Sequence, residues 1–439
     1  MPIRRSLAAT AVALTLGSAA FTTPAAAAEI QFWHAMSGRL NELLDEQVAK
    51  FNDSQDEHTV VATNKGNYSE ALNAGIAAFR ADEQPTLLQV FEVGTATMMN
   101  AKGAIKPVHE LMKETGKDFD PSIYLAAVAG YYTTTDGQML SLPYNSSTPV
   151  LYVNEDALAA ADAADMPLTT WDEVGAVLAK LKDAGNDCPM TTAWQSWIHL
   201  ENLSAYHDVP FASEDNGFAG ATAELGLAGE AQTTHVATLG EWAQDGRFVY
   251  SGRRNEGGAR FNSGECALFT ESSAGYANTK ASAEFDFSIR PLPYYEGVGG
   301  APQNTIIGGA SLWVMAGKDD DEYAAAADFL NFLSTADIQA QWHQDTGYLP
   351  ITMAAYEQTQ ASGFYEENPG TDIAIVQMTG KAPTANSKGI RLGNFDQIRG
   401  VIDEELEAVW AGDKTAEEAM ASADERGNEL LRRFERTSR

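Results

Sequence analysis

Residues 141–154 read Ser-Leu-Pro-Tyr-Asn-Ser-Ser-Thr-Pro-Val-Leu-Tyr-Val-Asn, a polar, turn-prone knot between two short apolar runs. Pro143 and Pro149 each fix φ and lack an N–H donor, so neither suits the middle of a sheet. Asn145, Ser146, Ser147 and Thr148 between them offer amides and hydroxyls. Such a stretch is either a surface loop between strands or a crossing between domains that doubles as a pocket wall. At 439 residues the chain is too long for one compact core, so two domains are expected and the crossing gains weight.

The alternation on either side agrees with that. Residues 30–33 read as a strand, and Leu40, Leu43, Leu44, Val48 and Phe51 follow at helical spacing. A second strand is expected at 59–63, a loop at Asn67 and Tyr68, a helix face at Leu72, Ile76 and Phe79, and a buried strand at 87–91 with Glu92 just past its end. This β-α-β-α-β pattern predicts a mostly parallel sheet flanked by helices, whose ligands sit beyond the carboxyl ends of the strands. Beyond the knot the pattern resumes with a strand at 150–153, a helix entered through a capping box at Thr170 and Glu173, and a strand from Cys188 that delivers Trp194 and Trp197. Those tryptophans either anchor a core or present flat apolar surfaces to a polyol.

Residues 201–258, rich in Gly, Ala and acids, resist assignment. A strand follows Gly264 and ends in the hydroxyls of Ser272 and Ser273, with alternation placing the Glu271 carboxylate opposite Ser272. The apolar run at 305–315 is interrupted by Gly308 and Gly309, which reads either as a second crossing with a backbone amide close to a ligand or as a bulge in tight packing. A third crossing is expected at 347–352. Arg399 lies near the start of a helix whose buried stripe runs from Ile398 to Trp410.

At the N-terminus, Arg4 and Arg5, an apolar run at 7–16 and alanines ending at Ala28 form a secretory signal peptide, residues 1–28. The apolar run is shorter than the ~20 residues a spanning helix needs, which disfavours a retained anchor. The formal charge is −32, and loss of the two leader arginines makes it −34. Such a charge repels nucleic acid and anionic membranes and suits a solvated acidic coat for high salt. Cys188 and Cys266 either pair or stay as separate buried thiols. No Walker loop, dinucleotide fingerprint, H-E-x-x-H or nucleophile elbow is present, and no cofactor or metal is called for. Hydroxyls at Ser147, Ser272 and Tyr348, an amide at Gly309 and the Arg399 guanidinium could together surround an anion.

Seven stretches carry a resemblance: Phe32-Trp33-His34, Lys65 to Tyr68, Glu92 to Met99, Asn145 to Tyr152, Ile307 to Val314, Gly347 to Thr352 and Arg391 to Asn394. In that order they resemble the periplasmic solute-binding proteins of ABC importers, within them those that take sn-glycerol-3-phosphate, over the whole chain after the leader. The resemblance implies an α/β, two-lobed periplasmic binding protein of type II, each lobe a mostly parallel sheet flanked by helices and joined by hinge crossings. Lobe 1 would comprise residues 29–145 plus 309–347, and lobe 2 residues 146–308 plus 348–439. It also implies that Tyr68, Ser147, Ser272, Gly309, Tyr348 and Arg399 hold phosphate, that Glu92 accepts from glycerol hydroxyls, and that Trp194 and Trp197 pack on the glycerol. Glu271 stands where that resemblance expects a small residue. The partners implied are sn-glycerol-3-phosphate, glycerophosphodiesters such as glycerophosphocholine if the cleft is open at the phosphate end, and a membrane permease, for a periplasmic monomer that is no enzyme. A neutral sugar or polyol ligand and a secreted hydrolase of glycerophosphodiesters or glycosides are the alternatives. Arg399→Ala is expected to remove phosphate affinity and leave the fold intact.

Overall fold

The structure is a computed structural model that describes residues 28–438. The expected leader lies outside the described residues except for Ala28, which opens the first strand. In chain order the strands are β1 (Ala28–His34), β2 (His58–Asn64), β3 (Leu87–Phe91), β4 (Ile105–Lys106), β5 (Leu142–Ser147), β6 (Pro149–Asn154), β7 (Cys188–Thr192), β8 (Cys266–Ser272), β9 (Phe287–Arg290) and β10 (Gly308–Met315). They form two sheets, and helices pack on both.

The first sheet has the order β2-β1-β3-β10-β4, with β5 also paired to β10. The second has the order β7-β8-β6-β9. Within the first, β1 runs parallel to β2 and β3, while β10 is antiparallel to β3, β4 and β5. In the second, only β7 and β8 run parallel. The two lobes are therefore mixed sheets rather than mostly parallel ones. The cause is the crossings: β10 enters the first sheet from the second lobe, so it need not follow the right-handed β-α-β path that keeps strands parallel.

The polar knot is also not a turn. Residues 142–147 form β5, which pairs with β10, and Thr148 alone separates it from β6 in the other sheet. Strand geometry is tolerated there because the buried polar side chains find partners: Asn145 bonds Tyr68 and Gln89, and Thr148 bonds Thr305. The two prolines sit where few ladder bonds are needed, one beside a register shift and the other at a strand start. The segment after Gly347 runs beside β5, its Leu349 N–H donating to the Ser146 carbonyl.

Local signals set the helix ends as expected. Thr170 and Glu173 form a reciprocal capping box on the helix Trp171–Asp183, and Thr415 and Glu418 do the same for the last helix. Gly347, at φ 81°, closes the helix Ala336–Thr346 in the left-handed conformation. Asn67, read from sequence as loop, is the N-cap of the helix Tyr68–Arg80, in a box with Glu70. Cys188 and Cys266 face each other across β7 and β8 and are joined in a disulfide. The helix Met353–Ala361, in the segment assigned to lobe 2, lies against the helix Ala336–Thr346, with Gln358 bonded to Asp337 and Gln344 to Thr359.

Candidate functional site

A cleft of about 650 Å³ opens between the two sheets. Its wall takes in Tyr68, Glu92, Ser147, Trp194, Trp197, Ser272, Gly309, Tyr348 and Arg399, nine positions drawn from segments far apart in sequence. From the first lobe come Glu92, in the turn that follows β3, and Tyr68, at the start of its helix. Ser147 ends β5 and Ser272 ends β8, so both hydroxyls lie where strands stop and backbone bonding thins out.

The aromatic wall is stacked and braced. Tyr68 lies flat on Phe91, ring centroids 5.3 Å apart, and faces Trp194 at 6.4 Å. Its hydroxyl accepts from Asn145 Nδ2 at 2.9 Å, and burial pushes the phenol well above its usual value, so it remains a proton donor. Tyr348 is pushed up to about 12 by the same cause. Trp197 is buried and lies against Gly308, where an added Cβ would come within 2.5 Å of the indole. It therefore serves the core and the cleft at once, while half-buried Trp194 belongs to the cleft wall.

Gly309, at φ 94°, satisfies both readings of its strand: β10 is a crossing into the first sheet, and the glycine packs closely there while bordering the cleft. A Cβ there would fall 1.8 Å from the Asn145 carbonyl oxygen, and the ladder with β5 shifts register one residue later.

Arg399 is held more tightly than its sequence context suggests. Its Nε donates to Glu201 at 2.7 Å, and Nη2 donates to Glu201 at 2.8 Å and to Glu92 at 2.6 Å. Glu92 belongs to the first lobe and Glu201 to the second, so the guanidinium ties the lobes together. Its side chain is 12% exposed, and those of Glu92 and Glu201 are 5% and 2% exposed. Burial raises the Glu92 carboxyl, and Arg399 partly offsets this. Two further bridges cross the same gap: Ser69 Oγ donates to Asp396 at 2.7 Å, and Arg39 N–H donates to Asn278 Oδ1 at 3.3 Å.

Glu271 departs from its expected place, for it lines the cleft alongside Ser272. Strand alternation no longer governs it at the end of β8, where the carboxylate folds back to accept from the Ser272 N–H at 2.6 Å. Desolvation pushes it up to about 8, with Glu256 adding to the rise.

Sequence reasoning missed Glu201 and Arg254, both inside the stretch that resisted assignment. Glu201 sits on a π-helical segment, Trp197–Asn202, and such turns gather at functional sites. Neither residue carried a motif. The nearest available signal was Trp194 and Trp197: Trp197 opens the segment that carries Glu201, and the Trp194 N–H donates to the Arg254 carbonyl. Among the described residues there is no cluster of potential metal ligands, and no helix is long and apolar enough to cross a membrane.

Two lobes facing each other across a polar and aromatic cleft, with the chain passing between them in paired strands, have the architecture of a solute-binding protein. The sequence profile of the bacterial extracellular solute-binding proteins matches residues 46–371, and the chain belongs to this family. It is 50% identical over 437 residues to the sn-glycerol-3-phosphate-binding periplasmic protein UgpB of Salmonella typhimurium, covering 99% of each chain. With UgpB of Escherichia coli K12 it shares 49% over 432 residues, covering 98% of each. UgpB of Mycobacterium tuberculosis in complex with glycerophosphocholine has the same fold, with a TM-score of 0.77 at 20% identity, over 92% of this chain and 98% of that one. Maltose-bound MalE3 of T. maritima matches with a TM-score of 0.76 at 17% identity, over 92% and 100%.

Proposed function

We propose that the protein is the substrate-binding subunit of an ABC uptake system, capturing sn-glycerol-3-phosphate in the interlobe cleft by hinge closure and delivering it to the permease. The observation that carries this reading is the convergence of all nine expected positions on one cleft, in a chain half identical to glycerol-3-phosphate-binding relatives along its length. In this reading Tyr68, Ser147, Ser272, Tyr348 and the Gly309 amide donate to the phosphate, since neutral hydroxyls and an amide supply hydrogen bonds without adding charge. Arg399 supplies charge-assisted bonds, Glu92 accepts from the glycerol hydroxyls, and Trp194 and Trp197 cover the carbon chain. Glycerophosphodiesters belong to the same ligand class.

The lobes move against each other about the crossings. β5 through Ser147, β10 from Gly308 and the helix Met353–Ala361 stay with the first sheet, so the expected bounds 29–145 plus 309–347 and 146–308 plus 348–439 shift by those segments. Arg399, bonded to both lobes, registers their approach. The protein works in the periplasm as a monomer, after removal of residues 1–28, without catalysis and without nucleic acid. Calorimetric titration of the mature chain tests this. Glycerol-3-phosphate is expected to bind tightly and glycerol and maltose weakly; maltose binding with no response to either glycerol-3-phosphate or glycerophosphocholine would replace it with the neutral-sugar reading. Turnover of glycerophosphocholine would instead favour a hydrolase.

A further inference from the structure

Two arginines line the cleft, and they are engaged differently. Arg399 is matched by two carboxylates, so with all three groups ionised that cluster carries one net negative charge. Arg253 is also occupied, donating through Nε and Nη2 to Glu407 at 2.7 and 2.5 Å. The Arg254 guanidinium has no hydrogen bond or ion pair among the described residues. Its main chain, by contrast, is fixed to the wall. The Arg254 N–H donates to Glu256 Oε2 at 2.7 Å, and its carbonyl accepts from the Trp194 N–H at 2.9 Å. Trp194 is held at φ 46°, a conformation that bulky residues rarely adopt and that persists only where the surroundings over-determine it.

An uncommitted guanidinium on a fixed piece of backbone is unexpected in a chain with 61 acidic and 29 basic residues. The cleft wall holds no lysine or histidine, so among the described residues Arg254 is the one full positive charge there not already matched by a carboxylate. Its acidic neighbours on that wall form no ion pair with its guanidinium: Glu256 accepts from the Arg254 main-chain N–H, and Glu271 from the Ser272 N–H.

We propose that Arg254 seats the second negative charge of a phosphate monoester and so sets the preference of this cleft for monoesters over phosphodiesters. The inference rests on the phosphate-binding reading above. A phosphate monoester carries about −1.5 to −2 at pH 7, whereas a diester carries a single charge. The hydroxyls and the amide of the site can satisfy oxygen lone pairs but contribute no net charge. Arg399 has enough for one anionic oxygen only by sharing with Glu92 and Glu201. The second charge of a monoester falls to Arg254.

The test compares wild type, Arg254→Gln and Arg254→Lys by calorimetry with glycerol-3-phosphate and with glycerophosphocholine. Wild type is expected to prefer the monoester. Arg254→Gln is expected to lose roughly 10- to 100-fold in affinity for the monoester, as for removal of a charge-assisted contact, and less than about threefold for the diester. Arg254→Lys keeps the charge and is expected to retain most of the preference. A merely structural role would weaken both ligands alike. Equal losses, or no loss, in Arg254→Gln with a wild type that binds phosphates would overturn the inference and leave the binding reading standing. A wild type that binds neither phosphate would overturn the reading, and this inference with it.

Discussion

Replacing Arg399 with alanine leaves Glu92 and Glu201 facing one another in a buried site with no cation between them. The expectation that such a variant keeps its fold intact therefore needs revision. Removing one partner of a buried ion pair costs about 3–5 kcal/mol, mostly because the remaining charge is stranded. Urea unfolding of Arg399→Ala is expected to show a loss of that order, part of which Glu201→Gln in the same chain restores. No recovery in the double variant would mean that the guanidinium stabilises by packing alone. Glu271 supplies a second residue-scale test. Its carboxyl is raised to about 8 in the folded protein against an unfolded value near 4.5, so the folded state holds a proton that the unfolded state has released between those limits. Stability from this group is fully present below the unfolded value and is lost as pH rises through about 8. Glu271→Gln cannot ionise and is spared this loss. Its melting temperature relative to wild type is expected to climb from pH 5 to pH 8, and a flat difference would remove the burial argument.

At the scale of elements, the pairing of β5 with β10 joins the first crossing to the second. Gly309→Ala would place a side chain in a left-handed conformation and within 1.8 Å of the Asn145 carbonyl, where backbone must move. A loss of more than about 2 kcal/mol is expected, together with weaker ligand binding because Ser147 and the Gly309 amide shift with the strands. An alanine variant of wild-type stability would show that the ladder tolerates another register. In the second sheet, the disulfide between β7 and β8 closes a loop of 78 residues. Removing it as Cys188→Ala with Cys266→Ala is expected to cost about 2–4 kcal/mol in denaturant unfolding. Hydrogen bonds still pair the strands, so ligand affinity is expected to stay near wild type.

Across the whole molecule, the formal charge of −32 opposes compaction through self-repulsion, and the ion pairs at the surface do little to relieve it. Screening shortens from about 30 Å at 0.01 M salt to about 3 Å at 1 M. The melting temperature is therefore expected to rise over that range, and a curve that stays flat would count against adaptation of the acidic coat to salt. Ligand is expected to act at the same scale, because the cleft is lined from both lobes: saturation at about 100 times the dissociation constant adds ~2.7 kcal/mol if only the folded form binds.

Much of the architecture could be read from order and spacing. Strand and helix periodicity, capping boxes and the glycine at the end of the helix Ala336–Thr346 are local properties, and each agrees with the structure because nearest neighbours along the chain create it. The residues that line the cleft were legible where they stood at a strand end or a crossing. Strand direction was not, since it depends on which sheet a distant segment joins; β10 runs antiparallel to β3 only because the chain returns from the other lobe. Nor was the partnership of Arg399 with Glu92 and Glu201, residues separated by 307 and 198 positions. The sequence by itself determined two α/β lobes, the crossings beside β5 and β10 and the residue types that line the cleft, because those follow from local propensity and composition. The crossing expected at 347–352 was misplaced, since the helix Met353–Ala361 that follows it still packs on Ala336–Thr346. Only the tertiary structure decided which charges meet, that Glu271 shares the cleft with Ser272, and that Arg254 is left uncommitted, because burial and pairing depend on segments brought together from across the chain.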